Sequence, residues 1–324
     1  MEALPQIGLF AISLVTLLIS AHYFTETAEK IGIHFKMPPF IIGVTIIALG
    51  TSLPEVATSI AAVFDNSSEI VIGNVVGSNL ANILLILGLT AIVGKHLVVD
   101  KEIIKIDLPI LLASTVLLYL ITLDGQITYV DGILCLIILS TYLIYNVKSQ
   151  RKLEDKELKD FSKMKKEEKL KKQKERLNIK YPVILFVSGL FLATAADWTI
   201  KSVTEISTIF NIGKDIIAVS AVAIGTSLPE LAVSLTAAKQ GKADLAIGNV
   251  TGSNIFNNLG VIGVPALFGT LTIPADAIKF SIPFLIFITL LYIFSTMDKE
   301  ITKWEGITLV TLYIAFMGKI FGII

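Results

Sequence analysis

The sequence predicts an all-α membrane protein of ten transmembrane helices, arranged as two inverted five-helix repeats. Three observations predict it. The 324 residues are 54% hydrophobic and only 17% charged, with a mean hydropathy of +0.77, too apolar for an ordinary soluble chain. The charge is also concentrated. Between Lys148 and Lys180 lie 14 of the 27 Lys and Arg residues and seven acids, and the rest is nearly all apolar blocks of membrane-spanning length. Finally, one passage is written twice. ALGTSLPEVATS at 48–59 returns as AIGTSLPELAVS at 223–234, and GNVVGSNLAN at 73–82 returns as GNVTGSNIFN at 248–257, both displaced by 175 residues.

The first block, 7–31, follows a stretch without Lys or Arg, so it lacks the basic start of a signal peptide. It aligns with 182–206 at the same 175 offset, which marks it as a retained helix. Blocks at 39–63 and 70–93 carry the repeated motifs, and those at 106–123 and 129–147 complete the first repeat, residues 1–147. Residues 148–180 alternate charge at helical spacing with almost no apolar anchor. They read as a solvated connecting helix or disordered linker, too short for a core of its own; the sharper reading is a leaflet-binding or regulatory element, since clustered Lys attracts anionic lipid. The second repeat, 181–324, follows with blocks at 182–206, 214–238, 245–268, 281–296 and 304–323.

Five crossings is an odd number, so the second repeat enters from the opposite face and the two are related by an axis in the membrane plane. Lysines in the short loops orient the whole. Lys36, Lys95, Lys101, Lys239, Lys242, Lys299 and Lys303 fall on the side of the 148–180 segment, against Lys214 and Lys279 on the other. That places the segment in the cytoplasm and both termini outside a cell membrane. The net charge of zero implies no polyanionic partner such as nucleic acid. A single cysteine, Cys135, excludes a disulfide framework and a thiolate metal cluster.

Each repeat sets one glutamate, Glu55 or Glu230, in a stretch otherwise apolar or hydroxylic. In GTSLPE, Pro54 cannot donate to the carbonyl of Gly50 and its ring opens that turn, while Gly50 eases the unwinding. Such a bend is tolerated at membrane depth only where protein or a wet cavity surrounds it. Thr51, Ser52 and Glu55 share a face at spacings of three and four, and Thr226, Ser227 and Glu230 repeat the arrangement. Carbonyls, hydroxyls and a carboxylate form an all-oxygen cluster suited to hard cations; Ca²⁺ takes about six to eight oxygens. Softer metals would call for His or Cys, and neither lies near the motifs. Two carboxylates match one Ca²⁺ or two monovalent cations. A charge in mid-span costs at least about 2.5 kcal/mol, and bearing that cost twice at matched positions argues against a merely structural kink.

In the second motif Ser78 and Asn82 stand one turn apart, as do Ser253 and Asn257. Gly73 with Gly77, and Gly248 with Gly252, form small-xxx-small steps for close helix approach. Asn74, Asn79, Asn249 and Asn254 read as interhelical hydrogen-bond formers. In the first helix His22, Glu26 and Lys30 are spaced by four, and their counterparts Asp197, Lys201 and Glu205 likewise, as interfacial ion pairs would be. His34 and His96 fall in expected loops.

An intramembrane enzyme would need a Ser/His, Asp/Asp or metal constellation, which one acid per motif and no motif histidine do not supply. A channel would need an open pore, whereas a duplication inverted within one chain favours alternating access. Ions are then the cargo, and no cofactor is called for. Hydroxyls and carbonyls beside the glutamates favour Na⁺ as the counter-ion for Ca²⁺. A proton would need only the carboxylates, and an H⁺/Ca²⁺ antiporter is the alternative reading.

At these residues the chain resembles the sodium/calcium exchanger branch of the cation/calcium antiporter superfamily, in particular its prokaryotic members. GTSLPE and GNxxGSN in duplicate are that family's alpha-repeat signatures, and the likeness spans essentially everything outside 148–180. The resemblance implies cation sites formed by helices 2, 3, 7 and 8, with helices 1 and 6 sliding across them. It implies as ligands the Ala48 carbonyl, Thr51, Ser52, Glu55, Ser78 and Asn82, then the Ala223 carbonyl, Thr226, Ser227, Glu230, Ser253 and Asn257. The opened turn by itself points to the carbonyl of Gly50 and does not single out Ala48. Some relatives carry Asp at the position of Asn257; with Asn the site resembles that of the potassium-independent exchangers.

Overall fold

The computed structural model describes residues 3–35, 37–99, 103–160, 179–209 and 226–320. Its helices are α1 (Ala3–His34), α2 (Pro39–Phe64), α3 (Glu69–Gly94) and α4 (Ile103–Ile121), α5 (Tyr129–Asp160) and α6 (Lys180–Ile209). They continue with α7 (Leu228–Lys239), α8 (Ala243–Phe256, carried on by Asn257–Val261 and Ile262–Ala266), α9 (Ala277–Ser295) and α10 (Lys303–Ile320). Among the described residues seven helices, α1 to α6 and α9, are long and apolar enough to cross a membrane. Large apolar side chains such as Phe186, Phe191, Phe287 and Ile314 point outward, while Asn, Ser, Thr and Glu are buried within. That distribution suits hydrocarbon outside and a polar site inside.

One local expectation changes, and another is narrowed. The fifth helix runs past its apolar block, unbroken to Asp160, so the segment after residue 147 begins as a connecting helix, its alternating Lys and Glu being good helix formers with supportive spacings. His34 closes α1 instead of standing in a loop; Gly32 alone does not end the helix, and the stop is supplied by Pro38 and Pro39 beyond.

Wide π-type turns interrupt the helices at Ala81–Ile86 and Asn257–Val261, and at Ile103–Asp107 and Ala277–Ser281, pairs about 175 residues apart. Four short strands link the loops: β1 (His96–Val98), β2 (Gln126–Ile127), β3 (Leu271–Thr272) and β4 (Glu300–Thr302). β1 pairs antiparallel with β4, with Leu97 opposite Ile301 and His96 opposite Thr302. β2 pairs with β3, with Gln126 opposite Thr272 and Ile127 opposite Leu271. Shifting the first pairing by 175 reproduces the second, register included.

Two bodies of packing result. The larger core gathers α2 to α5 and α8 to α10. The smaller joins α1 and α6 to α2, α7 and α8 through small side chains, among them Ala21, Ala28, Ala195, Ala196, Ala232 and Ala237. α1 and α6 lie along each other, and Thr199 Oγ1 donates to Ser13 Oγ at 2.9 Å between them. At the heart of the molecule α2 and α8 meet backbone to backbone. A Cβ on Gly248 would stand 2.5 Å from the Phe40 carbonyl oxygen, and one on Gly252 2.5 Å from that of Val44. The small-xxx-small step in the second repeat therefore has its partner. The counterpart of that α2 stretch, 215–223, lies outside the described residues.

Candidate cation site

The site begins with two matched breaks. Ser52 sits at φ −88°, ψ 5° and Ser227 at φ −89°, ψ 4°, each just before a Leu-Pro that restarts the helix. The restart turns Glu55 and Glu230 inward, where they are 0% and 1% exposed. Thr51, Ser52, Ser78, Asn82, Ser227, Ser253 and Asn257 are also buried, and Thr226 is half-buried. Ala223 lies outside the described residues. The Ala48 carbonyl is engaged within its own helix: it accepts the Ser52 N–H at 3.1 Å and the Thr51 hydroxyl at 3.3 Å.

Asparagines hold the arrangement. Asn249 Nδ2 donates to the Glu230 carbonyl at 3.3 Å and to Ser234 Oγ at 2.9 Å, while its Oδ1 accepts from Thr51 at 3.2 Å. Asn74 does the same 175 residues earlier, donating to the Glu55 carbonyl at 3.5 Å and Ser59 at 3.3 Å and accepting from Thr226 at 3.2 Å. Each thus braces the bend of its own motif set and anchors the threonine of the other. A second mirrored pair crosses between α3 and α8: Asn82 Nδ2 donates to Asn254 Oδ1 at 3.3 Å, and Asn257 Nδ2 to Asn79 Oδ1 at 3.0 Å. The repeated Asn residues are interhelical formers, as expected. Ser78 and Thr226 hydroxyls meet at 3.2 Å.

What these bonds leave over defines the chemistry. Both carboxylate oxygens of Glu55, Oε2 of Glu230, Oδ1 of Asn82 and Asn257, and Oγ of Ser227 and Ser253 are buried without a hydrogen-bond partner among the described residues. Only Thr90 Oγ1 and Asn254 Nδ2 join them on that roll. Unpartnered buried oxygens are costly, carboxylate oxygens most of all. Seven such oxygens, from α2, α3, α7, α8 and the Ser227 break, form a donor set suited to a hard cation. No group of three or more His, Cys, Asp or Glu side chains stands ready for a metal among the described residues, so neutral oxygens supply most of the set.

Sequence reasoning missed some members of the polar interior. Asn258 accepts from Asn79 at 2.7 Å and donates to Ser114 at 3.1 Å and Thr115 at 3.0 Å, tying the site to α4. Asp107 of α4 accepts from the Tyr142 hydroxyl at 2.6 Å. An acid within an apolar block was the available signal for Asp107. Asn258 has no such signal, because its 175-shifted counterpart is Ile83.

Comparison with known proteins agrees with the geometry. The family described as sodium/calcium exchanger protein matches residues 5–148 and 180–321. An uncharacterized membrane protein of Methanocaldococcus jannaschii is 34% identical over 97% of each chain. The sodium/calcium exchanger MaX1 of Methanosarcina acetivorans is 32% identical over 96% of this chain and 97% of its own. Among solved structures, the sodium-calcium exchanger NCX_Mj soaked with zero Na⁺ and Ca²⁺ superposes with a TM-score of 0.81 at 30% identity, covering 97% of this chain and 98% of that one. The same exchanger soaked with 2.5 mM Na⁺ and 10 mM Sr²⁺ gives 0.80 at 31%. With its duplicated motifs and its cluster of buried, unpartnered oxygens, the chain belongs to the sodium/calcium exchanger protein family.

Proposed function

We propose that this protein is a secondary antiporter that exchanges Na⁺ for Ca²⁺ across the cell membrane by alternating access, in an electrogenic cycle. The observation that carries the reading is the set of seven buried oxygens without partners, contributed by both halves of the chain and including both glutamates. Ca²⁺ and Na⁺ compete for these oxygens, with Thr51, Ser52, Ser78 and Thr226 completing the set. Without cations, two carboxylates in a low-dielectric core resist any rearrangement that buries them further.

The architecture in this reading is ten spans in two inverted repeats, 1–147 and 181–324, joined by a cytoplasmic 148–180 segment with both termini outside. The 175-shifted strand pairings support it. Alternation is supported by unequal cover over equivalent positions. Leu53, just past the first bend, is 60% exposed and Ala57 and Thr58 are exposed, whereas Leu228 is half-buried and Ala232 and Val233 are buried where α1 packs along α7. The stretch past the first bend is thus open where the stretch past the second is covered by α1. The small side chains beneath α1 and α6 suit sliding.

The test is ⁴⁵Ca²⁺ uptake into proteoliposomes under an outward Na⁺ gradient and, separately, under a pH gradient without Na⁺. Uptake driven by Na⁺ alone is the expected result. Equal uptake driven by protons would replace this reading with an H⁺/Ca²⁺ antiporter.

A further inference from the structure

The turn between α7 and α8 and the turn between α2 and α3 have the same backbone. Lys242 N–H donates to the Ala237 carbonyl at 2.9 Å, and Ser67 N–H, 175 residues earlier, to that of Ala62 at 2.8 Å. Gly241 turns with φ +74° and Asn66 with φ 56°, and glycine and asparagine are the residues that adopt this conformation most readily. The side chains on these congruent frames differ. Lys242 Nζ lies 2.6 Å from Glu29 Oε2 of α1, with the two side chains 25% and 24% exposed. Gln240 Nε2 donates to His22 Nδ1 of α1 at 3.0 Å. At the other turn the counterparts of Lys242 and Gln240 are Ser67 and Asp65, and the counterparts of Glu29 and His22 on α6 are Thr204 and Asp197.

We propose that Glu29 with Lys242, and His22 with Gln240, form a latch between the sliding helix α1 and the core, and that the mirrored position has no equivalent. The inference rests on the alternating-access reading above. When inverted repeats exchange conformations, α6 approaches the Asp65–Ser67 turn as α1 here approaches the Gln240–Lys242 turn. The mirrored positions offer no acid–amine pair, their residue types being Ser67 and Thr204, and no amide beside an imidazole, since they carry Asp65 and Asp197. Partial burial protects the Lys242–Glu29 pair from screening, whereas Asp197 is already paired with Lys201 of its own helix at 2.8 Å and brings no donor to Asp65. The two access states are therefore unequal even though the ion site is built from repeats. The latch favours the state sealed on the side of the 148–180 segment, and these four residues position the moving pair without touching the ions.

The test reads the equilibrium directly, independent of transport. In a Cys135→Ala background, single cysteines are introduced by Ala57→Cys, exposed in the described state, or by Ala232→Cys, buried beneath α1. The protein is placed in nanodiscs, so that both faces meet a membrane-impermeant maleimide, and the ratio of the two labelling rates is taken. Glu29→Gln or Lys242→Gln is expected to lower the ratio of the rate at position 57 to that at position 232 about twofold to fivefold, the range open to a partly exposed ion pair. The charge-exchanged pair, Glu29→Lys with Lys242→Glu, is expected to restore it. A ratio that ignores both single substitutions, or falls without recovering in the exchanged pair, overturns the latch. If neither rate responds to Ca²⁺ or Na⁺ with the native pair in place, alternating access fails and takes the latch with it. If they respond but the ratio ignores the charges, the latch alone fails.

Discussion

Ser52 Oγ donates to Glu230 Oε1 at 3.0 Å, and the mirrored contact from Ser227 to Glu55 is not made: Ser227 Oγ and both Glu55 oxygens have no partner among the described residues. Two motifs with nearly the same letters thus stand in different states. Glu230 is held by a hydroxyl from the other half of the chain, while Glu55 has both oxygens available. The asymmetry at the site accompanies the asymmetry of cover, with Leu53, Ala57 and Thr58 of α2 exposed and their counterparts on α7 beneath α1.

Glu55→Gln and Glu230→Gln are each expected to reduce Ca²⁺ exchange at least about a hundredfold, the scale of removing one partner from a buried charge arrangement. Neither should lower the melting temperature in detergent, because a buried charge costing at least about 2.5 kcal/mol is removed with it. Calcium flux and thermal unfolding on the same preparations check both halves. Wild-type flux in both variants would dismiss the two glutamates as ligands.

Asn257→Asp bears on selectivity. The native amide donates to Asn79 Oδ1 at 3.0 Å and leaves its own Oδ1 without a partner. An ionised carboxylate cannot donate, so it would face Asn79 oxygen to oxygen and add a third negative charge. Exchange should become pH-dependent, with a proton or an additional cation required at that position. Flux measured across a pH series, with and without K⁺, reads this; a profile identical to that of the native protein would place residue 257 outside the site.

Gly252→Ala should be costly where Gly8→Ala is not. The first sets a methyl 2.5 Å from the Val44 carbonyl oxygen and 2.9 Å from Ala48 Cβ, while the second meets nothing within 4 Å. Overpacking of this kind costs about 1–3 kcal/mol. A lowered melting temperature and lost flux for Gly252→Ala, with Gly8→Ala unchanged, are the expected results. A Gly252→Ala protein as stable as the native one would mean that α2 and α8 are not in backbone contact.

Transport should respond to voltage. One Ca²⁺ or two Na⁺ would each neutralise the two glutamates, and a third Na⁺ held by the neutral oxygens would carry one net charge. Each net charge moved across the membrane is worth about 2.3 kcal/mol per 100 mV. Clamping liposomes with valinomycin and K⁺ should therefore change the Ca²⁺ flux with the imposed potential. A flux indifferent to potential would establish the two-for-one cycle instead.

Much of this protein is legible in its letters because duplication writes each essential feature twice. The Leu-Pro restart after a serine, the glutamate one turn on and the six recurring asparagines all stand out by their offset of 175. Features without a second copy lack that signal. Asn258 bridges Asn79 to α4, yet its counterpart is Ile83, so nothing in the repeat calls attention to it. Asp107 and Tyr142 meet at 2.6 Å from positions 35 apart, a pairing that helical periodicity along either segment does not reveal.

The sequence by itself determined the membrane class, the apolar blocks, the broken helices and the residue types of the cation site, because these follow from local chemistry: hydropathy over a span, proline's missing donor and the spacing of side chains on one helical face. Only the tertiary structure decided which oxygens are already satisfied. Thr51, Thr226 and the Ala48 carbonyl are engaged, while Glu55, Asn82, Ser227, Ser253 and Asn257 present oxygens that are not. It alone decided that α1 covers the stretch past one bend while Leu53, Ala57 and Thr58 past the other are exposed, and that Lys242 finds Glu29 where Ser67 offers nothing comparable. Hydrogen-bond partners and buried surface are properties of chain segments brought together from far apart. Two copies of a motif with the same local chemistry can therefore occupy different environments.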